Sequence, residues 1–156
     1  MKSAIGNSLL MSLVITIVSL VMLVFVNILS YSKAYRIKNR VIEIIEKYET
    51  FESDEVNNDI KNYLHQSGYQ VGGCSSKEIN IINNKYNLNV DSNEILKINA
   101  KNGYKYCVVP IKLSNDEIYY KVVAFVEYNF PVINELLITP VAGETKILDR
   151  NYDNYN

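Results

Sequence analysis

Between Leu9 and Leu29 the chain reads LLMSLVITIVSLVMLVFVNIL without a charged residue, and nothing else in its 156 residues restricts the fold so strongly. A bilayer core about 30 Å thick is crossed by a helix of roughly 20 apolar residues, so this run has the length and composition of a membrane span. A cleaved secretory signal has a shorter apolar core, about 7 to 15 residues, and ends at a small-residue site. The run has neither of these signal features and reads as retained in the mature protein. Its continuation is equally informative. The stretch VFVNILSYSKAYRIKNRVIEIIEKYE, Val24 to Glu49, contains neither Gly nor Pro, so no residue in it breaks a helix where the chain leaves the apolar segment.

Projected at 100° per residue, Ser8, Ser12, Thr16, Ser19 and Asn27 fall within one sector of the span. Ala34, Ile37, Val41, Ile44, Ile45 and Tyr48 continue the same sector beyond it. The stripe changes from small and polar to apolar where the solvent would change from lipid to water. In lipid, small and hydrogen-bonding side chains favour helix contact; in water, apolar ones do. Ser12, Thr16, Ser19, Asn27, Ile37, Val41, Ile44 and Tyr48 are therefore the candidate association face. The alternative use of the outer half is to pack on the chain's own domain, since a helix in water generally needs tertiary burial.

Charge is unevenly placed. Five of the 16 bases, Lys2, Lys33, Arg36, Lys38 and Arg40, precede the first acid, Glu43, leaving 11 bases against all 17 acids in residues 41–156. An acidic domain of this kind would be repelled by phosphates, and nucleic acid is not expected as a partner. The four bases just after the span, taken with the positive-inside rule alone, put the domain in the cytoplasm. They could instead hold anionic lipid headgroups.

The later sequence changes period. SDEVNNDIKNYLHQSG has Ser53 as an N-cap, apolar Val56, Ile60, Tyr63 and Leu64, and Gly68 as a stop, which makes a short second helix. YQVGGCSSKEINIINNKYNLNVDSNE reads as turns with short apolar runs. From Ile95 strands follow, with Asn102-Gly103 at a hairpin position. Cys107, Val109, Ile111 and Leu113 alternate along one strand, and Ile118, Tyr120, Val122, Ala124, Val126 and Tyr128 along the next; we expect these to form one apolar face. Pro110 implies an edge strand or a bulge. A crossing segment broken by two prolines leads to a last strand from about Val141. The expected class is α+β: a long N-terminal helix, half transmembrane and half amphipathic, packed on a small antiparallel sheet.

Chemistry is sparse. The lone His65 has no converging partners in the local sequence and reads as a surface or packing residue. No nucleophile elbow, phosphate loop, zinc helix or dinucleotide fingerprint is present, and Gly72-Gly73 reads as loop. No enzyme, cofactor, metal site or small-molecule substrate is expected. Cys74 and Cys107 could close a disulfide over 33 residues, worth roughly 3 to 4 kcal/mol in the chain-entropy account. Cys107 could equally be an ordinary buried thiol. Tyr104, Tyr106, Tyr119, Tyr120 and Tyr128 lie in the strand region, where half-buried positions favour Tyr, or where Tyr could build an interaction surface.

The basic start MKSAIG, the span from Leu9, its helical continuation to about Tyr48, the stretch YYKVVAFVEYNFPVINELL and the closing PVAGETKIL together resemble type IV pilin-like proteins, in particular the TadE-like minor pilins of tight-adherence systems. The resemblance covers most of the chain as architecture. It implies a surface filament or secretion-related role, lateral partners that are pilin-like subunits or copies of the chain, an anchoring bilayer, and a domain outside the cytoplasm. It also implies leader cleavage between Gly6 and Asn7. The Glu that pilins carry five residues into the mature chain is Met11 here. The expected division is a leader at 1–6, a span at 7–30, an amphipathic continuation at 31–50, a small α+β domain at 51–150 and a polar tail at 151–156.

Overall fold

The computed structural model describes residues 2–67, 74–88, 95, 106–113, 117–128 and 137–149. Helix α1 runs Lys2–Tyr48, α2 Asp54–Gln66 and α3 Ser76–Tyr86. Strands β1 Tyr106–Lys112, β2 Glu117–Tyr128, β3 Leu137–Glu144 and β4 Leu148–Asp149 follow. The class is α+β, as the change of period along the sequence predicts. The chain divides into two compact units, 1–33 and 34–156. The boundary falls inside the segment that reads as the amphipathic continuation of the first helix.

The N-terminal unit is helix alone. Its apolar side chains from Leu9 to Leu29 are exposed, and its most apolar window has a mean hydropathy of 3.0 with none of it buried. It belongs to the one helix, among the described residues, that is long and apolar enough to cross a membrane.

The second unit is built on a sheet. β2 is central, pairing antiparallel with β1 on one side and with β3 and β4 on the other. Pro110 lies on β1, which pairs only with β2 in the described sheet, so its missing N–H is tolerated. β3 begins at Leu137, four residues before the expected start at Val141, and holds Pro140 within it opposite Phe125. An outer strand can carry a proline with its nitrogen turned away from the ladder, which is why the proline did not mark the strand's start.

Both faces of the sheet are covered. Tyr106, Val108, Ile118, Tyr120, Val122, Ala124, Val126 and Val141 pack with Ala34, Ile37, Val41, Ile44 and Ile45 of α1 and with Val56, Ile60 and Leu64 of α2. Cys107, Val109, Val123 and Phe125 pack on the other side with Ile79 and Ile82 of α3 and with Ile95. This corrects the expected single apolar face. Val108 pairs with Val122 and Cys107 with Val123, so the stripe from Cys107 lies on the face opposite the stripe from Ile118. Alternation alone could not reveal this, because the intervening Val108, Val123 and Phe125 are apolar too.

The helices begin where their caps dictate. Val56 N–H donates to the Ser53 hydroxyl at 3.3 Å, starting α2 as expected. α3 stands where the Asn, Ser and Gly of the sequence predict turns. Its entry is Ser75-x-x-Glu78, with the Ser75 N–H donating to the Glu78 carboxylate at 3.0 Å. Ile79 and Ile82 then recur at helical spacing. Gly68, Gly72-Gly73 and Asn102-Gly103 lie outside the described residues.

Candidate functional site

The sequence points to α1 as the functional element, and its two parts are used differently. In the N-terminal unit, Ser12, Thr16 and Ser19 lie exposed along the helix. The Thr16 hydroxyl donates to the Ser12 carbonyl oxygen at 2.9 Å, and the Ser19 hydroxyl to that of Ile15 at 2.8 Å. Bonds of this kind satisfy the hydroxyl donor within the helix and let Ser and Thr sit in lipid without a partner. Asn27 differs. It is partly exposed and its side-chain amide makes no hydrogen bond among the described residues, although an amide brings two donors and an acceptor. Gly6 and Asn7 lie within the helix.

In the second unit the stripe is already occupied. Ile37, Val41 and Ile44 are buried in the chain's own core with Ala34 and Ile45, and Tyr48 is partly buried against it. Ile37, Val41 and Ile44 of the expected association face are therefore not open to a partner, and Tyr48 is open only in part. Their spacing matches the α1-facing side of the sheet, so intramolecular burial takes them first. Four large aliphatic side chains, Ile37, Val41, Ile44 and Ile45, contribute about 1.5–3 kcal/mol each.

Polar contacts fix the register of this docking. The Tyr48 hydroxyl donates to Asp59 at 2.8 Å, tying the end of α1 to α2. Arg40 lies 5.7 Å from the Tyr63 ring centroid and pairs with Glu43 at 2.7 Å, which raises its pKa. Lys38 is buried, its ammonium 4.3 Å from the Tyr35 ring centroid. The Lys38 stem and Ile42 lie over Gly143 of β3, where an added Cβ would stand 2.8 Å from each.

At the far end of α1 the contacts converge on a bulge. Glu144 pairs with Lys121 and Leu148 with Ile118, so Thr145, Lys146 and Ile147 stand opposite Tyr119 and Tyr120, one residue in excess. The Tyr120 N–H donates to the Thr145 hydroxyl at 3.0 Å. The Thr145 hydroxyl in turn donates to the Lys146 carbonyl oxygen at 2.8 Å. The Lys146 N–H donates to Glu46 of α1 at 2.6 Å, and its ammonium meets Glu49 at 3.4 Å.

Cys74, just before α3, is bonded to Cys107 of β1, with Cα atoms 5.2 Å apart. Cys107 is fully buried and Cys74 partly exposed. The bond joins the α3 layer to β1, an outer strand of the sheet among the described residues.

The remaining candidates gather into no reactive arrangement among the described residues. His65 is exposed in the last turn of α2, and no group of three or more His, Cys, Asp or Glu is placed to hold a metal ion. Tyr106 and Tyr120 are core residues, not an interaction surface; Phe51 meets Tyr120 at a ring-centroid distance of 6.2 Å. Tyr119 is partly exposed, while Tyr104 and the Tyr128 side chain lie outside the described residues. Comparison of the chain with protein-family models, with curated proteins and with solved structures gives no match in any of the three.

Proposed function

We propose that the chain is a single-span membrane protein of pilin-like design, structural and not catalytic, whose α+β domain lies outside the cytoplasm. It belongs to a bacterial surface filament or secretion-related assembly and associates laterally, through the apolar part of α1, with pilin-like subunits or copies of itself. The observation that carries this reading is the double use of α1. Its first part is apolar and unburied, while Ala34, Ile37, Val41, Ile44 and Ile45 are sealed into the domain. A protein whose first helix is both anchor and core element is suited to placing that domain in a membrane-rooted array.

Two further observations support its parts. Disulfides persist in oxidising compartments, so the Cys74–Cys107 bond favours an exported domain. The uncompensated amide of Asn27 gains most from a neighbouring helix, since an unpaired polar group in hydrocarbon is costly. With Ile37, Val41 and Ile44 buried in the chain's own domain and the Tyr48 hydroxyl on Asp59, association falls to Ser12, Thr16, Ser19 and Asn27. Leader cleavage after Gly6, leaving Asn7 first, belongs to the same reading.

The second reading is a membrane-anchored scaffold domain facing the cytoplasm. It is favoured by Lys33, Arg36, Lys38 and Arg40 following the span so closely. Protease treatment of intact cells separates the two. Loss of the domain supports export, and full protection beside a cleavable control eliminates it. In the same cells, Ser12→Cys should cross-link to a pilin-like neighbour or a second copy, while a chain also carrying Asn27→Leu cross-links less. No cross-link at Ser12 would remove the lateral association.

A further inference from the structure

The two faces of the sheet are held by unequal means. Toward α1 and α2, long rows of buried side chains are reinforced by Tyr48 on Asp59, Glu46 on the Lys146 N–H and Arg40 over Tyr63. The opposite face is closed, among the described residues, by α3 and Ile95. α3 is an 11-residue helix that fully buries only Ile79 and Ile82. Helices of that length are marginal in water, and two buried isoleucines with the partly buried Tyr86 and Leu88 are little to set against the entropy of ordering the segment. Its far end touches the sheet through the Lys85 ammonium, 3.4 Å from the Pro140 carbonyl oxygen, and through Tyr86, whose ring centroid is 4.7 Å from the Lys121 ammonium. Its near end is tied covalently, by Cys74 to Cys107.

We infer that the Cys74–Cys107 bond is a redox lock on the α3 layer alone, so that reduction by a dithiol frees α3 from the sheet while the core of α1, α2 and the strands stays folded. The exchange begins at the Cys74 sulfur, the more exposed of the pair. A reductant thiolate bonds to it and Cys107 leaves as a thiolate that takes up a proton. The reductant's second thiolate then attacks its own sulfur in the mixed disulfide and releases Cys74. Two electrons and two protons pass to the cysteines, and the dithiol is left as a cyclic disulfide. With the cross-link gone the α3 segment regains its conformational freedom, and Val109, Val123 and Phe125 become transiently accessible. The chain thus has an open form before oxidation and a closed form after it. This holds whichever side of a membrane the domain occupies, so it stands or falls apart from the functional reading.

Hydrogen exchange on the full-length chain in detergent, oxidised and after dithiothreitol, tests it. Amides from Ile79 to Tyr86 should exchange at least about tenfold faster on reduction, while those of Val41–Ile45 and Val122–Val126 change by less than about threefold. Cys74→Ser, with Cys107 left in place, should reproduce the reduced pattern without reductant. If α3 keeps its protection on reduction, the bond is no lock. If α1 and β2 lose protection together with α3, the domain is one cooperative unit. Either result overturns the inference.

Discussion

Glu49 closes α1 at φ 56°, a conformation in which a Cβ crowds the following carbonyl oxygen. Its carboxylate meets the Lys146 ammonium, but both side chains are about half exposed, and such a pair is worth at most about 1 kcal/mol. The backbone therefore dominates at this site. Glu49→Gly should be more stable than Glu49→Ala by about 1 kcal/mol, the reverse of the ordinary helix order, when urea midpoints of the two are compared. Neither variant can pair with Lys146, so the comparison isolates φ. Asn87, at φ 50° after α3, solves the same problem with a residue that tolerates this region better. No local signal in the sequence marks Glu49 as a helix stop, because Gly is absent there and the geometry is imposed by the contacts of α1 with β3 and the bulge.

At the scale of elements, what was legible depended on whether the signal was local. Ser53 with early acids and a spaced apolar face specifies α2 by itself. α3 was equally written, in Ser75-x-x-Glu78 and in Ile79 and Ile82, but the surrounding Asn residues pointed to turns; the cap and the tertiary burial prevailed. That β1 and β2 follow and pair as neighbouring antiparallel strands was legible, but the face each stripe takes was not, because both faces are buried and one register step exchanges them. The bulge was invisible for a further reason, since its cause lies on another element: the Glu46 carboxylate takes the Lys146 N–H. Thr145 holds this device together. Thr145→Val keeps the shape and leaves the buried Tyr120 N–H without its acceptor, at a cost of about 1–3 kcal/mol. Thr145→Ser restores the oxygen and should recover most of that loss in the same urea titration.

For the whole molecule, the question is where the domain begins. A chain tethered through a linker would lose nothing from its fold when the tether is cut away. Here the compact unit starts at Ala34, and α1 supplies Ala34, Ile37, Val41, Ile44 and Ile45 to the larger core. α2 buries Val56, Ile60 and Leu64 beside them and cannot close that face of the sheet alone. Removing the second part of α1 takes away four large aliphatic side chains at about 1.5–3 kcal/mol each, against a total stability of about 5–15 kcal/mol for a domain. It also strips Glu46 from the bulge and Tyr48 from Asp59. A fragment starting at Lys33 should unfold cooperatively in urea. One starting at Phe51 should be unfolded without denaturant, or at least several kcal/mol weaker, and should bind a hydrophobic dye at the bared face of Val108, Val122 and Val126. Equal midpoints for the two fragments would mean that α1 is only a tether, and the double use of this helix, on which the functional reading rests, would fall with it.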